Sequence, residues 1–370
     1  MQTKNVDTSD TADTSFGFDA ARCLLRCPTM ASRPADPAPG RTVVRAVPAR
    51  VGLAGNPSDG YGGAVLAAAL CGLEAEVSAT LQDGVTLDGS GATAMWPTVL
   101  AWLDHVDQAG HGDEQRIISA SLWTIVDHLR RTGVGVEGLT GLRLHWHTAV
   151  PRSIGLAGSS ALAVGAIEVA ATAWGVNLDR RVIAALALRA EREVLGIAAG
   201  WQDRIVQSFG RTVLVDTASM DEIGGVEVPA VTTVDLPHGV TLDLLVGWAV
   251  RSATSSDDYH APLRRHAASL VAPMSELAAI ARRAARAVGE GDVIAMAEAM
   301  DETWLVRQAC APLRADHAAL VELVRSTGMH ATTPGSGGSV VAACLDESTT
   351  KAAINSLRDA GCEYVRCALS

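Results

Sequence analysis

The chain has 370 residues, with 30 lysines and arginines against 41 aspartates and glutamates, a formal net charge of −11 at pH 7. Such an acidic chain lacks the excess of positive charge that binding to nucleic acid or to an anionic membrane requires. With 48% hydrophobic and 19% charged residues, it can bury a substantial core. No uninterrupted apolar stretch reaches the roughly 18 residues of a transmembrane helix. We therefore predict a globular protein with neither nucleic-acid nor membrane partners.

Lysine is almost absent from the chain. The two lysines are Lys4 and Lys351, and neither lies in a glycine-rich motif. A P-loop needs a lysine inside such a motif to contact the nucleotide phosphates. P-loop ATPases are therefore excluded, and so is Schiff-base chemistry with a lysine in the body of the chain.

The first 40 residues differ from the rest in composition. They are rich in Thr, Asp, Ser and Pro, so we predict that segment 1–40 is a disordered extension. This segment lacks the continuous apolar run of a secretory signal. The seven cysteines are odd in number and scattered, which favours reduced thiols over a disulfide framework. These features predict a cytoplasmic protein.

From residue 42 onward, the hydrophobic pattern shows strand and helix periods in turn. The predicted elements of the first half are a strand at 43–53, one or two strands within 74–87, a helix at 116–131, a strand at 142–150, helices at 161–174 and 180–195, and a strand at 212–215. Those of the second half are a strand at 241–250, helices at 262–287, 291–310 and 314–327, a strand at 340–345, a helix at 348–360 and a strand at 363–368.

The order of these elements predicts the fold class and the division of the chain. Strands and helices do not alternate regularly, which is typical of the α+β class. Gly, Pro and Asp cluster at 216–240 and mark a domain boundary. We place a first domain at 41–220 and a second domain at 221–370.

The sequence PRSIGLAGSS at 151–160 joins a predicted strand to the helix predicted at 161–174. Its glycines allow a ligand to approach the backbone closely. The free amide N–H groups and the positive end of the dipole at a helix N-terminus attract anions. The segment is therefore a candidate phosphate site, and the alternative is a capped helix behind a flexible loop.

Two further turn segments carry polar groups or glycines beside a strand. Arg50 lies in the first predicted strand, and Asp59 follows in a tight turn, where an aspartate is also an ordinary turn residue. The sequence PGSGGS at 334–339 precedes the strand predicted at 340–345. This second turn either closes on the phosphate site or forms a simple hairpin.

The segment GIAAGWQDR at 196–204 presents an acidic side chain after a predicted helix ends. Asp203 lies in a small-residue loop, where its carboxylate is placed to act as a general base toward a substrate hydroxyl. Glu191, on the preceding helix, is either a metal ligand or a solvated helix charge.

In this order, the four segments resemble the motif layout of the GHMP kinase superfamily, which comprises galactokinase, homoserine kinase, mevalonate kinase and phosphomevalonate kinase. The resemblance covers residues 43–370. It is greatest to the glucuronokinase branch, in the segments RVG at 50–52, GNPSD at 55–59, GLAGSS at 155–160 and GWQDR at 200–204. This resemblance implies a two-domain α+β fold, with an N-terminal domain like ribosomal protein S5 domain 2 and a ferredoxin-like C-terminal domain.

The resemblance also implies a kinase that uses ATP and Mg²⁺ and acts on a small-molecule hydroxyl acceptor. The implied catalytic residues are Asp203 and Arg50. The implied ATP-binding residues are Pro151, Gly155, Leu156, Ala157, Gly158, Ser159 and Ser160. The implied substrate-binding residues are Asn56, Ser58, Asp59, Gln202 and Gly337. The implied Mg²⁺ ligands are Ser160 and Glu191.

The acceptor implied first is a sugar or uronic acid, phosphorylated at its anomeric hydroxyl; a heptose, a cyclitol or another polyol is the alternative. The chain departs from the glucuronokinase pattern at Gly62-Gly63, where a bulky aromatic is usual, and at Trp201, where a smaller aliphatic is usual. Both departures allow an acceptor other than glucuronate. The candidates for pairing with an acceptor carboxylate are Arg152, Arg204, Arg251 and Arg264. The segment 255–265, with His260 and Arg264, resembles the substrate-side segment of the branch.

Two other classes of protein compete with a kinase. A non-catalytic sensor of sugar and ATP shares the same layout, but the presence of Asp203, Arg50, Ser160 and Glu191 favours catalysis. A purely structural protein gains nothing from several glycine-rich loops, whose glycines lose much conformational entropy on folding. We expect the kinase to be a monomer or a homodimer.

Overall fold

The computed structural model describes residues 40–89, 91–250, 270–311 and 313–369. Apart from Gly40, the N-terminal segment predicted to be disordered lies outside these residues. The predicted substrate-side segment 255–265, with His260 and Arg264, lies outside them too, as does Arg251. The described chain forms two antiparallel-rich sheets with helices packed against them, which confirms the predicted α+β class.

A seven-stranded sheet forms the first half of the fold. Its strands are β1 (Thr42–Ala54), β2 (Ala64–Gln82), β3 (Val85–Gly89), β4 (Ala92–Trp96), β5 (Gly141–Thr148), β6 (Val213–Ile223) and β7 (Val226–Thr233). The sheet order is β4-β3-β5-β2-β6-β7, with β1 paired to β2. All pairs are antiparallel except β3 with β5. The long strand β2 therefore joins the sheet from β5 to β6.

Five helices of the described chain belong to this half. They are α1 (Val99–Ala109), α2 (Arg116–Arg131), α3 (Gly158–Ala173), α4 (Arg180–Arg189) and α5 (Trp201–Phe209). Helix α3 packs on β1 and β2, and α2 and α4 pack on α3. Because α3 is rich in Ala and Val, it buries most of its residues in this core. The start of α3, just after β5, is thereby fixed against the sheet.

The second half contains β8 (Asp243–Ala249), α6 (Val271–Glu290), α7 (Val293–Cys310), α8 (Ala315–Arg325), β9 (Ala331–Thr332), β10 (Ser339–Cys344), α9 (Glu347–Asp359) and β11 (Cys362–Ala368). The strands pair antiparallel in the order β11-β8-β10-β9. This order, with helices between β8 and β9 and between β10 and β11, is the predicted ferredoxin-like arrangement.

The two halves share a hydrophobic core. Leu53 and Leu66 of the first sheet lie in one buried cluster with Ile280 of α6 and Val341 of β10. Helix α6 packs directly on β2 and on the 3₁₀ turn Ser58–Tyr61. Burial of apolar area across both halves therefore holds the loops at the ends of their strands next to one another.

Several elements differ from their predicted bounds. The predicted helix 180–195 ends as an α-helix at Arg189 and continues as a π-turn over Ala190–Val194. The loop predicted around Asp203 is in fact the first turn of α5, which starts at Trp201. Helix α1 was not predicted, although Thr98 caps it by accepting a hydrogen bond from the N–H of Ala101 at 3.0 Å.

The predicted division at residues 220 and 221 falls inside strand β6. The first sheet continues through β7 to Thr233, and the second sheet begins with β8 at Asp243. The cluster of Gly, Pro and Asp that marked the boundary includes the turn between β6 and β7, where Gly224 and Gly225 adopt positive φ. The two predicted domain ranges stay a prediction.

The structure gives the state of several cysteines, which were predicted to be reduced, and the apolar character of the helices. Cys71 is disulfide-bonded, in contrast to the reduced state predicted for the thiols. Cys310, Cys344, Cys362 and Cys367 are free. Across the described ranges, none of the helices combines the length and the apolar character needed to cross a membrane.

At Gly165, helix α3 lies close against the sheet. A Cβ added there would lie 2.8 Å from Cγ2 of Val77, whereas a Cβ at Gly289 of α6 meets nothing within 4 Å. Alanine gains about 1 kcal/mol of helix propensity over glycine at either site. We expect Gly289→Ala to be neutral or stabilising and Gly165→Ala to destabilise by about 1–3 kcal/mol through overpacking. Urea unfolding checks this pair, and equal gains in both variants would contradict the close approach.

Candidate active site

The loop between β5 and α3 has the geometry of an anion site. Gly155 adopts φ 73°, and Ala157, the residue before α3, adopts the left-handed region at φ 65°. Helix α3 begins at Gly158. The first amide N–H groups of a helix have no intrahelical acceptor, and they carry the positive end of the helix dipole. This loop therefore offers backbone donors to a bound phosphate.

Two side chains support the left-handed turn at Ala157. Nε2 of Gln207 on α5 donates to the Ala157 carbonyl at 2.8 Å, and the Ser160 hydroxyl donates to the same oxygen at 3.1 Å. A left-handed alanine costs about 1–2 kcal/mol, and these two hydrogen bonds offset that cost. The Ser160 hydroxyl, predicted as a Mg²⁺ ligand, thus points back into the first turn of α3.

Arg50 is a nearly buried arginine on β1 that touches three of the four sequence motifs. Its Nε donates to Oδ1 of Asp203 at 2.5 Å. Its Nη1 donates to the carbonyl oxygens of Gly155 at 2.9 Å and Pro334 at 2.7 Å. The Arg50 guanidinium therefore links the carboxylate of Asp203 to both the phosphate loop and the glycine loop 334–338.

A second buried ion pair lies on the other side of Asp203. Glu191, placed by the π-turn, is 1% exposed and accepts a hydrogen bond from the Ser159 hydroxyl at 2.5 Å. Arg204 donates through Nε to Glu191 at 2.6 Å and through Nη1 to Asp203 at 3.3 Å. Burial lowers the pKa of Arg204, but the charges of Glu191 and Asp203 outweigh this effect and raise it. Arg204 is thus a charged link between two carboxylates and not a surface charge.

Asp59 is the third buried carboxyl of the site. It lies in the 3₁₀ turn Ser58–Tyr61, and its Oδ2 accepts from the backbone N–H of Gln202 at 3.0 Å. Burial is the main cause that raises the pKa of Asp59 to about 6; the hydrogen bond from Gln202 opposes it, and the charge of Asp203 adds to it. Asp59 therefore exchanges its proton near neutral pH.

The other predicted acceptor-side residues fall into two groups. Nε2 of Gln202 is buried without a hydrogen-bond partner among the described residues, and Nδ2 of Asn56 donates to the Gly335 carbonyl at a long 3.5 Å. These amides lie beside Asp59 and Gly52, where polar groups of a ligand can pair with them. Ser58, by contrast, is fully buried and its hydroxyl donates to the Ala64 carbonyl at 2.7 Å. Its hydroxyl stabilises the turn.

The glycine loop at 334–338 packs against the phosphate loop so closely that side chains are excluded. A Cβ at Gly335 would lie 2.3 Å from the Gly155 carbonyl oxygen. A Cβ at Gly337, which adopts φ 118°, would lie 2.2 Å from Nδ1 of His317. Gly337, predicted to contact substrate, is thus placed between the phosphate loop and α8.

The structure therefore brings Arg50, Asp59, Gly155, Ser159, Glu191, Gln202 and Asp203 together around one site. Sequence reasoning missed Gln207 and Arg307, which contact the phosphate loop and the glycine loop. Gln207 stands four residues after Asp203, a spacing that places both on one face of a helix. This signal required the knowledge that α5 begins at Trp201. Nothing in the local sequence marked Arg307.

No group of three or more His, Cys, Asp and Glu side chains is arranged to hold a metal ion within the ranges that the structure describes. A nucleotide-bound Mg²⁺ needs only one or two protein oxygen ligands, because phosphates and water supply the others. The hydroxyl of Ser159 and Oε1 of Glu191 are adjacent hard oxygens at the start of α3. These residues fit such an ion, with Ser159 and not Ser160 next to Glu191.

Comparison with known proteins finds similarity to small-molecule kinases. Residues 120–211 match the family model of the GHMP kinases N terminal domain. The chain is 25% identical over 309 residues to "Probable glucuronokinase 2" of Arabidopsis thaliana, covering 80% of this chain and 82% of that protein. A 67-residue segment is 45% identical to a D-glycero-alpha-D-manno-heptose 7-phosphate kinase of Campylobacter jejuni, covering 18% and 20% of the two chains.

Solved structures share the fold. A galactokinase of Lactococcus lactis complexed with galactose superposes with a TM-score of 0.69 at 15% identity, covering 88% of this chain and 92% of that one. The fold, the motifs and the family match are those of a kinase similar to the GHMP kinases. Over 80% of its length, the chain is similar to the glucuronokinases.

The raised pKa of Asp59 predicts how stability depends on pH. The pKa of Asp59 is about 6 in the folded state, above the ordinary 3.8. The contribution of Asp59 to the free energy of unfolding is therefore fully present below about pH 4 and is lost as the pH rises through 6. Relative to wild type, Asp59→Asn should therefore gain stability with rising pH, by up to about 3 kcal/mol at pH 7.5. Urea unfolding at pH 4.5, 6 and 7.5 measures this difference.

Asp88→Asn is the control for this titration. The hydrogen bond from Arg143 lowers the pKa of Asp88, which is half-buried. Loss of the Asp88 carboxylate should therefore weaken the fold more at neutral pH than in acid. A difference between Asp59→Asn and wild type that does not change with pH would contradict a raised pKa.

Proposed function

We propose that the protein transfers the γ-phosphate of ATP to a hydroxyl of a sugar or uronic acid, giving the anomeric 1-phosphate. One observation carries this proposal: Arg50 hydrogen-bonds both Asp203 and the Gly155 carbonyl of the loop that opens α3. The carboxylate that would act as base for the acceptor and the loop that would bind the donor phosphates are thus both hydrogen-bonded to the Arg50 guanidinium. Phosphoryl transfer asks a protein mainly for this positioning and for neutralisation of charge.

The donor side of the site binds the phosphates. The amides that open α3 hold the β- and γ-phosphates of ATP, with Gly155 and Gly158 allowing their close approach. Ser159 and Glu191 are the residues that would hold Mg²⁺, which supplies charge neutralisation to the phosphates. Arg204 holds the carboxylate of Glu191 in place through the pair described above. ATP therefore binds with its terminal phosphate toward Asp203.

The acceptor side of the site handles the proton. Asp203 accepts the proton of the acceptor hydroxyl. The oxygen of that hydroxyl forms a bond to the γ-phosphorus, and the bond between this phosphorus and the oxygen of the leaving ADP breaks. Arg50 offsets negative charge on the transferred group. Asp59, Gln202 and Asn56 bind the other hydroxyls of the acceptor. General base catalysis of this kind contributes about 10²–10⁴-fold.

A uronic acid needs a partner for its carboxylate. Arg204 does not serve, because its guanidinium already pairs with Glu191 and Asp203. Arg152 is exposed on the phosphate loop and remains a candidate, whereas Arg251 and Arg264 lie outside the described residues. The similarity to plant glucuronokinases over most of both chains supports a uronic acid as the first choice.

A heptose, a cyclitol or another polyol is the second choice. The local similarity to a heptose 7-phosphate kinase supports it, as do the two departures from the glucuronokinase pattern. Gly62, with φ 76°, ends the turn that holds Asp59, and Trp201 packs on the core cluster that includes Val65 and Ile205. A Cβ added at Gly62 would meet nothing within 4 Å, so the end of this turn leaves space that a larger polyol could occupy.

A screen of acceptors decides between these readings. The protein is incubated with ATP, Mg²⁺ and each of glucuronate, galacturonate, hexoses, heptoses with and without a phosphate, and cyclitols, and release of ADP is measured. Turnover with a uronic acid supports the first choice, and turnover with a heptose or cyclitol alone replaces it by the second. Thermal stabilisation by sugar and ATP without any ADP release would favour a sensor.

Asp203→Asn tests the assigned base. We expect kcat to fall by about 10²–10⁴-fold, since the amide accepts no proton, while stabilisation by ATP stays near that of wild type. Asp88→Asn is a matched control, because Asp88 is half-buried like Asp203 and pairs with Arg143 between strands β3 and β5. The control should retain kcat. Wild-type turnover in Asp203→Asn would remove Asp203 from the mechanism.

A further inference from the structure

Arg307 is a completely buried arginine near the end of α7, 0% exposed to solvent. Burying a guanidinium is costly unless its donors find acceptors. Its Nη2 donates to the carbonyl oxygen of Gly335 at 2.6 Å. The buried charge of Arg307 is therefore bound to the backbone of the glycine loop 334–338. An apolar side chain at this position would have a smaller desolvation penalty on folding.

Two arginines from opposite halves of the fold hold this loop at consecutive carbonyl groups. Arg50 of β1 donates to Pro334 at 2.7 Å, and Arg307 of α7 donates to Gly335. The backbone N–H of Gly52 also donates to Pro334 at 2.9 Å. The loop is thus fixed between the sheet of the first half and a helix of the second.

The glycine loop 334–338 in turn packs tightly against the phosphate loop. A Cβ at Gly335 would meet the Gly155 carbonyl oxygen at 2.3 Å, and the Ser339 hydroxyl donates to the Ile154 carbonyl at 2.5 Å. The Pro334 and Gly155 oxygens are the two acceptors of Nη1 of Arg50, whose Nε holds Asp203. A shift of the loop therefore changes the direction of Arg50 and, through it, of Asp203.

We propose that Arg307 is a positioning residue: by fixing the Gly335 carbonyl, it sets the orientation of the Arg50–Asp203 pair against the phosphate loop. The proposal rests on the kinase function proposed above. Arg307 acts through Arg50 and touches neither reactant. A misplacement of about 1 Å in reacting groups costs on the order of 10²-fold in rate, so the expected effect is on kcat more than on binding.

The test compares Arg307→Met, which keeps the volume and removes the donors, with Arg307→Lys, which keeps a charge and a donor. Arg366→Met is the control, since Arg366 on β11 pairs with Asp243 and Glu347 in the same half, at the edge of the sheet opposite β9 and the glycine loop. Rates are measured per folded molecule with ATP, Mg²⁺ and the acceptor found in the screen.

We expect Arg307→Met to lower kcat by about 10²-fold and to change KM for ATP less than threefold. Arg307→Lys should recover about tenfold of that loss. Arg366→Met should lower the melting temperature while keeping kcat. A kcat in Arg307→Met equal to that of the control would overturn the positioning role and leave a purely structural one. If Arg307→Met does not fold, an unchanged kcat in Arg307→Lys overturns the role by itself.

The kinase function and the positioning role fail in different ways. Turnover by wild type, lost in Asp203→Asn, keeps the kinase function whatever Arg307 does. An absence of ADP release with every acceptor removes the function and, with it, the positioning role.

Discussion

The site depends on the contacts of one guanidinium. Arg50 lies at 5% exposure on β1 and donates to Asp203, to the Gly155 carbonyl and to the Pro334 carbonyl. A planar guanidinium presents its donors in a fixed fork, so it sets the relative directions of three acceptors at once. A lysine offers a single flexible ammonium and cannot do this. Three loops distant in sequence thereby become one reaction site.

Charge balance explains why so many ionisable groups tolerate burial there. Arg50 and Arg204 alternate with Asp203 and Glu191 along a continuous chain of hydrogen bonds that ends at the Ser159 hydroxyl. Each charge has an opposite neighbour, which offsets its loss of hydration. Asp59 stands beside this chain and accepts a hydrogen bond from the backbone N–H of Gln202. Burial raises the pKa of Asp59 to about 6, whereas the neighbouring carboxylates raise the pKa of Arg204.

Sequence patterns predicted most elements because the periodicity of a packed helix or strand is local. Helix α2 has the predicted bounds 116–131, since its apolar face repeats at helical spacing throughout. The patterns failed where structure depends on neighbours. The π-turn that aims Glu191 at Ser159 follows a helix whose sequence continues smoothly, and α5 starts at Trp201 inside a segment of small residues typical of a loop. Both errors lie in the site itself.

By itself, the sequence determined the α+β class, the absence of a P-loop lysine and the four segments that meet in the site, because residue type and short spacing carry that information. Only the tertiary structure decided which atoms meet. Arg50 and Pro334 stand 284 positions apart, and Arg204, Gln207 and Arg307 gain their roles from partners outside their own segments. Burial likewise set the protonation of Asp59. Such contacts and desolvation arise from the packing of two sheets and their helices around a shared core, which no local pattern encodes.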